Sequence, residues 1–127
     1  MTEAQVAVEN VGDVRLLVYP ETGPVLPGES GALQVLGEAF GAKADWVAVP
    51  ADRLGPDFFR LRTGIAGRVA QKFAQYRVGL AVVGDITAHI AASTALRDLV
   101  RECERGSTFW FVPHLDELRA RLEGTAS

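Results

Sequence analysis

The residues best suited to chemistry lie between Asp57 and Asp85, where the chain carries five cations and no acid. These cations are Arg60, Arg62, Arg68, Lys72 and Arg77. A cluster of positive side chains attracts phosphate and carboxylate groups, although a solvated helix face also explains the last three. Because the net charge of the whole chain is −3, any anion binding must come from this segment rather than from the overall charge.

Thr63 stands where the helix of this segment is predicted to begin, and it is followed by Gly64. A hydroxyl at that position can cap the exposed N–H groups, and the same groups favour an added phosphate. Thr63 is therefore predicted either as a simple N-cap or as a phosphorylation site beside Arg60 and Arg62. The spacing of Gly64 and Gly67 lacks the Gly-x-Gly turn of dinucleotide-binding loops, and it predicts close packing of the helix instead.

Polar residues also follow three apolar runs that are predicted to be parallel strands. These residues are Asp52, Asp57, Arg60, Arg62, Thr63, Asp85, Thr87, His89 and His114. Because the carboxyl ends of parallel strands share one edge of a sheet, where ligands usually bind, we expect these residues along one edge. Asp85 could act there as a base or a metal ligand, or it could simply cap its own loop. The two histidines lack the spacing of a zinc site, so neither a metal nor a cofactor is predicted.

The sequence favours a binding role over an enzyme. No serine lies in a Gly-x-Ser-x-Gly elbow, and Ser93 is predicted to cap a helix instead. Cys103 falls on the inward stripe of that helix and is predicted to be a core residue. Trp46 and Trp110 lie in predicted strands and are interpreted as core residues rather than as platforms for stacked bases.

The composition is that of one globular domain over residues 1–127, with 48% hydrophobic and 23% charged residues. One cysteine excludes an internal disulfide. The net charge gives no reason to expect nucleic acid, and no apolar run reaches the ~20 residues of a membrane span. No secretory signal is apparent, so a cytoplasmic location is expected.

The predicted fold class is α/β, in the order β-β-α-β-α-β-α-β-α. A hairpin over residues 5–19 is followed by three apolar runs separated by helices, which predicts a mostly parallel central sheet of four to five strands flanked by helices. The strands are predicted at 5–8, 14–19, 45–49, 78–83 and 108–112. The helices are predicted at 29–40, 64–76, 93–105 and 113–122, with an irregular segment at 50–62 and a disordered tail at about 124–127.

Two of these helices have apolar stripes that are predicted to face the core. The stripe of the first helix contains Leu33, Leu36, Gly37 and Phe40, and Gly41 is predicted to end it. The stripe of the second contains Ile65, Ala66, Val69, Ala70, Phe73 and Tyr76.

Two motifs in the basic segment are specific enough to indicate a family. They are Phe58-Phe59-x-Leu61-x-Thr63-Gly64-x-Ala66-Gly67 and Gln71-Lys72-Phe73-x-x-Tyr76. With them, residues 36–122 resemble the bacterial domain-of-unknown-function family 4180 (DUF4180), and the resemblance implies no activity. Arg68 stands where that family usually has Glu, and Cys103-Glu104 stands where it usually has Ser-Asn.

The order of elements is similar to that of STAS domains, the sulfate-transporter and anti-sigma-factor-antagonist type. This resemblance implies that the helix after the third strand begins with a Ser or Thr that a kinase can phosphorylate, and Thr63 occupies that place. The longer segment at 50–62 and the missing Asp before Thr63 are departures from the STAS pattern.

Three functions follow as hypotheses. The first is a regulatory module whose edge at 50–67 and cationic helix face bind a partner protein, with Thr63 as a phosphorylation switch. The second is a small-molecule binder or small enzyme, with a small anionic ligand in a pocket backed by Phe58 and Phe59. The third is a homodimer formed through the hairpin edge or the 64–76 helix. The candidate binding residues are Asp57, Phe58, Arg60, Arg62, Thr63, Gly64, Gly67, Lys72, Asp85 and His89.

Overall fold

A computed structural model of the chain describes residues 6–21, 26, 28–106 and 108–126. The strands are β1 (Ala7–Val11), β2 (Val14–Val18), β3 (Trp46–Pro50), β4 (Gly79–Val83) and β5 (Phe109–Val112). The helices are α1 (Gly28–Ala42), α2 (Pro56–Phe59), α3 (Ile65–Gln75), α4 (Thr87–Ala92), α5 (Thr94–Arg105) and α6 (Leu115–Ala126). Two 3₁₀ turns, Ala51–Arg53 and Leu61–Thr63, flank α2. In the described chain, no helix is long and apolar enough to cross a membrane.

The five strands form one sheet in the consecutive order β1-β2-β3-β4-β5. β1 pairs with β2 in antiparallel fashion, and each of the remaining pairs is parallel. This confirms a single α/β domain with a mixed, mostly parallel sheet flanked by helices. The likeness to STAS domains stays a prediction.

The helices divide unequally between the two faces of the sheet. Residues of α1, α2, α3 and α5 form one core cluster with β-strand side chains such as Val47 and Leu80. α6 covers the other face, where Leu118 and Leu122 pack on Leu16. Side chains along each strand alternate between the two cores because successive Cβ atoms point to opposite faces.

Two tryptophans form the centre of the core under α6. The rings of Trp46 and Trp110 stack with centroids 4.3 Å apart, as expected for core residues. Gly79 lies directly beneath this stack, because a Cβ atom built at Gly79 would be 2.2 Å from the Trp46 indole. The Arg121 guanidinium covers the Trp110 ring at 4.3 Å and donates to the Glu104 carbonyl at the C-terminus of α5.

A bidentate ion pair fastens the edge strand to α6. Arg119 donates from Nε and Nη2 to the two Glu9 carboxylate oxygens at 2.9 and 2.8 Å. These bonds lower the pKa of Glu9 and raise the pKa of Arg119. β1 is therefore held by side-chain contacts in addition to its hairpin partner.

The predicted inward face of α1 was partly wrong. Leu33 and Phe40 are 50% and 51% exposed, and the buried face consists of Ala32, Val35, Leu36 and Ala39. Those smaller side chains recur at helical spacing and let the helix lie close to the sheet, which turns the bulkier Leu33 and Phe40 outward. Gly41 does not end α1, because the helix continues through it to Ala42.

The core-facing position predicted for Tyr76 was also wrong. Its side chain is 45% exposed, and its ring contacts Phe40 edge-on with centroids 5.4 Å apart. Tyr76 follows the last residue of α3, so it lies beyond the turns that pack on the sheet. The other members of the α3 stripe are buried or half-buried, with Ala66, Val69 and Phe73 at the centre.

Several boundaries differ from the sequence-based prediction. The segment at 50–62 is not irregular, because α2 and two 3₁₀ turns lie within or across it, and the short helix α4 was not predicted. The last helix begins at Leu115 rather than Pro113 and continues through Gly124, part of the tail expected to be disordered. Gln5, in the predicted hairpin, and Ser127, in the predicted tail, lie outside the described residues.

Replacing Gly79 by alanine should destabilise the protein by about 3 kcal/mol, because the new Cβ would collide with the Trp46 ring. Gly67 on α3 is the matched control, since a Cβ there meets nothing within 4 Å. Gly67→Ala should raise the free energy of unfolding by about 0.5 kcal/mol. Urea unfolding followed by tryptophan fluorescence measures both. A Gly79→Ala protein as stable as wild type would show that the indole does not lie over this strand.

Candidate functional site

An open cleft of about 600 Å³ lies between residues 56–62 and the segment that joins α4 to α5. Its lining residues are Pro56, Phe59, Arg60, Leu61, Arg62, His89, Ala92, Ser93 and Ala95. We call it the arginine cleft. It lies between the connection that follows β3 and the connection that follows β4, among residues that follow the carboxyl ends of these parallel strands. The strand ends themselves, including Pro50 and Val83, line a separate pocket of about 150 Å³.

The cleft wall formed by residues 56–62 is anchored to the hydrophobic core. Phe58 and Phe59 of α2 are buried in the core, as the sequence predicted. Upstream, Arg53 is buried, donates from Nη1 to the Pro20 carbonyl at 3.2 Å and lies over the Tyr19 ring. The connection after β3 is thereby tied to the end of β2, so its polar residues are held by a fixed scaffold.

A stacked pair of rings joins the two walls of the cleft. The Phe59 and His89 rings are nearly parallel, with an interplanar angle of 13° and centroids 4.3 Å apart. This contact brings together the segments after β3 and β4, as the strand-end argument predicted. His89 is half-buried, so its imidazole contacts Phe59 and still forms part of the cleft surface.

The two arginines of the cleft are exposed and weakly engaged. Arg60 forms an ion pair with Asp57 at 3.3 Å, but the two side chains are 62% and 66% exposed, and such pairs contribute little. The Arg62 guanidinium forms no ion pair within the part of the chain that the structure describes. Both cations can therefore turn toward a ligand at small energetic cost.

The N-terminus of α5 opens on the same cleft. The Ser93 hydroxyl accepts a hydrogen bond from the Leu96 N–H at 3.1 Å, which confirms Ser93 as the N-cap. Ser93 and Ala95 both line the cleft, so the positive end of the α5 dipole faces it. An anion in the cleft would interact with the two arginines and with this helix end.

Thr63 has a structural role in the adjoining turn. Its hydroxyl lies 2.9 Å from the Asp57 carbonyl oxygen and 2.8 Å from that of Arg60, and it shares its proton between them. It also accepts the Ile65 N–H at 3.3 Å. The N-cap of α3 is Gly64, in the left-handed region at φ 77°, rather than Thr63. The hydroxyl therefore closes the turn that precedes the helix.

Asp85 closes the turn that precedes α4 and does not line the arginine cleft. Its carboxylate accepts hydrogen bonds from the Thr87 hydroxyl and, at 2.9 Å, from the Thr87 N–H. The hydrogen bond from the hydroxyl lowers the pKa of Asp85 most, and the bond from the N–H lowers it further. The loop-capping alternative for this residue is the arrangement found.

The remaining candidates are not lining residues of the arginine cleft. Phe58 faces the interior, and Asp57, Thr63 and Lys72 are not among the lining residues. Gly67 is exposed with open space around it, so it does not permit close packing as predicted. His114 lines a different pocket of about 150 Å³ near Glu21, so the two histidines do not meet. Among the described residues, no three His, Cys, Asp or Glu side chains form a metal-binding group.

The sequence-based prediction included Arg60, Arg62 and His89 among the candidates and placed Phe59 behind a pocket, but it missed two features of the cleft. These are the stacking of Phe59 on His89 and the N-terminus of α5, which was interpreted only as a capped helix end. A signal for both existed in the strand-end argument, because residues 84–92 lead directly into Ser93. The contact between rings from different connections depends on tertiary geometry that no local pattern encodes.

Replacing Thr87 by valine should raise the pKa of Asp85 toward its usual value near 3.9, because the hydroxyl hydrogen bond is lost. In the wild type the lowered pKa of Asp85 stabilises the folded state at pH values above the pKa that Asp85 has in the unfolded chain. This stabilisation is lost as the pH falls through the pKa of Asp85 in the folded state. The decrease in the free energy of unfolding on acidification should therefore be smaller in Thr87→Val than in the wild type. Carboxyl NMR titration gives the pKa directly, with Thr94→Val as control, and an unchanged Asp85 pKa would contradict the assignment.

Comparison with known proteins agrees with the motifs in the basic segment. The family model of DUF4180, described as a domain of unknown function, matches residues 11–122. No curated protein and no solved structure matches the chain. The matched region is longer than residues 36–122, over which the motifs indicated the resemblance. It includes nearly the whole sheet, from the end of β1 to the last buried residue of α6. The chain therefore belongs to the DUF4180 family of domains of unknown function.

Proposed function

We propose that this domain binds a small molecule bearing a phosphate or carboxylate group in the arginine cleft. The observation that carries the proposal is the cleft itself, whose volume of about 600 Å³ lies within the range of small-molecule sites. We place this binding in the cytoplasm as part of the proposal, since phosphorylated and carboxylated metabolites are abundant there.

The chemistry of the lining supports an anionic ligand with an apolar body. Arg60 and Arg62 offer planar groups that bind phosphate or carboxylate through paired hydrogen bonds. The N-terminus of α5 adds favourable dipoles on the opposite wall. Four apolar residues between these polar groups would contact the rest of the ligand; they are Pro56, Leu61, Ala92 and Ala95.

The cleft supports binding better than catalysis. The described lining residues include no carboxylate, and the neighbouring Asp57 carboxylate is paired with the Arg60 guanidinium at 3.3 Å. The Ser93 hydroxyl is engaged as the cap of α5, and His89 stacks on Phe59. These side chains hold the cleft in shape, and the two exposed arginines provide the charge.

Arg62→Ala should weaken anion binding about tenfold or more, since a hydrogen bond to a charged group contributes about 1.5–3 kcal/mol. The probes are inorganic phosphate and phenyl phosphate, titrated against the amide NMR spectrum of the intact chain. Phenyl phosphate should bind more tightly, because its ring contacts the apolar lining. Arg101→Ala, which removes an exposed arginine of α5 that does not line the cleft, is the matched control. Equal weakening by both variants, or shifts outside residues 56–62 and 89–95, would contradict the proposal.

A second proposed function is that of an interaction module regulated by phosphorylation of Thr63. What favours it is the surroundings of Thr63, since Arg68 donates from Nη2 to the Thr63 carbonyl at 3.2 Å and the Arg60 backbone carbonyl accepts a hydrogen bond from the Thr63 hydroxyl. A phosphate on Thr63 would carry a charge of about −2 near the Arg68 guanidinium and would remove the proton that closes the turn. The turn belongs to the wall of the arginine cleft, so modification would reshape the surface offered to a partner.

Thr63→Glu should increase amide hydrogen exchange in residues 57–64 about tenfold or more, because the hydroxyl donor that holds two carbonyls is lost. It should also weaken phosphate binding in the cleft, whose wall the same turn supports. Thr108→Glu, at an exposed position beside β5, is the control for added charge. If Thr63→Glu leaves both exchange and phosphate binding as in wild type, the switch is excluded and the ligand-binding proposal stands unaffected.

A further inference from the structure

The His89 imidazole has one covered face, and the rest of its ring is available to the arginine cleft. Phe59 covers the first face, since the two rings are nearly parallel with centroids 4.3 Å apart. Phe59 is only 3% exposed and belongs to the core, so it forms the inner side of the stack. His89 is half-buried and lines the cleft. The surface that it offers to a ligand is therefore its outer face and the adjoining ring edge.

Both rings of this stack are held by the fold. Phe59 is fixed by the burial of α2 in the core. His89 lies in α4, where the next residue, Ile90, packs against the same core and donates its N–H to the Ile86 carbonyl at 3.0 Å. The imidazole is thus a pre-organised flat surface, and a ligand that contacts it need not order a loose side chain.

A flat surface beside two guanidinium groups suits a ligand that combines a planar ring with an anionic group. Aromatic rings stack on one another in offset, parallel arrangements, and this contact favours an aromatic ring over a saturated ring of the same size. Arg60 and Arg62 supply the paired hydrogen bonds for the anionic group. The volume of about 600 Å³ leaves room for both parts of such a ligand.

We propose that the ligand of the arginine cleft is an aromatic phosphate or carboxylate whose ring stacks on the outer face of His89. This inference rests on the proposed function and names the class of ligand. The stack would then consist of Phe59, His89 and the ligand ring, and the two exposed arginines would bind the anionic group. His89 determines the preference for planar rings.

Two other roles for the same residues lead to different results. If the lining acts only as an apolar surface, a saturated ring of the same charge should bind at least as tightly, because it has as much apolar area to bury. If His89 acts only as a positive charge, an aromatic residue without a titratable group should weaken binding when it replaces His89. Stacking predicts the opposite result in both cases.

Phenyl phosphate and cyclohexyl phosphate, titrated into the intact chain at about pH 8 and followed by NMR, test the proposal. Both probes are mainly dianions there, because the second pKa of a phosphate monoester is about 6. Phenyl phosphate should bind roughly three- to tenfold more tightly, the ratio expected for one stacked aromatic pair. Its ring current should also shift the ring-proton resonances of His89 upfield, whereas cyclohexyl phosphate should produce no such shift.

Three variants separate stacking from size and charge. His89→Leu should remove the preference for phenyl phosphate, because leucine keeps an apolar side chain but has no flat face. His89→Phe should retain the preference, because phenylalanine supplies the flat face without a titratable group. His114→Leu is the matched control, since it replaces the other histidine, which lines a different pocket. Thermal unfolding confirms that the variants fold, and the comparison of the two probes on the wild-type chain depends on none of them.

The outcomes distinguish this inference from the proposed function. Equal affinities of the two probes, tighter binding of cyclohexyl phosphate, or unshifted His89 resonances would overturn the stacking and leave anion binding in the cleft intact. A preference that His89→Leu and His114→Leu reduce equally would overturn it as well. If neither probe shifts the resonances of residues 56–62 and 89–95, the cleft does not bind these anions, and the proposed function fails together with the inference.

Discussion

The consecutive strand order places the connection after β3 directly beside the connection after β4, and the arginine cleft depends on this adjacency. Each connection alone carries only scattered polar residues. Side by side at the carboxyl edge, they bring Arg60 and Arg62 opposite the N-terminus of α5. The Phe59–His89 stack then fixes the separation of the two walls. A different strand order would separate these residues without changing a single local element.

The same strand order makes the two faces of the sheet unequal. Helices that connect parallel neighbours in sequence fall on one face when every crossover has the same hand, so α1, α3 and α5 share a layer. The other face is left to α6, which packs over the small side chains of Ala48 and Ala81, while Gly79 makes room for the Trp46 indole. The tryptophan stack and the Glu9–Arg119 ion pair complete that face. The layer of α1, α3 and α5 packs on the sheet to form the larger core, and its outer surface is partly apolar.

The sequence predicted the order of elements and the mostly parallel sheet because period-two and period-3.6 patterns report burial directly. The prediction of the buried face was wrong for α1, where two apolar stripes lie side by side on one helix. In α1 the apolar residues define two adjoining faces, and tertiary packing chose the one with Ala32 and Ala39 over the one with Leu33 and Phe40. The sequence also did not predict the hydrogen bonds of the Thr63 hydroxyl. Its acceptors are carbonyl oxygens of the α2 turn, which precedes Thr63, and not groups of the helix that follows it. Arg60, Arg62 and His89 line one cleft, as the strand-end argument predicted, because connections that follow neighbouring parallel strands lie side by side.

α3 runs from the turn beside the arginine cleft to the outer surface of the helical layer. The helix begins just after Thr63, in the turn that supports the cleft wall, and Tyr76 follows its last residue. Its inner face is buried through Ala66, Val69 and Phe73, so the packed core holds it in one position. A change in the turn before α3 should therefore act on the cleft wall that this turn adjoins, while the buried face of the helix holds α3 on the sheet.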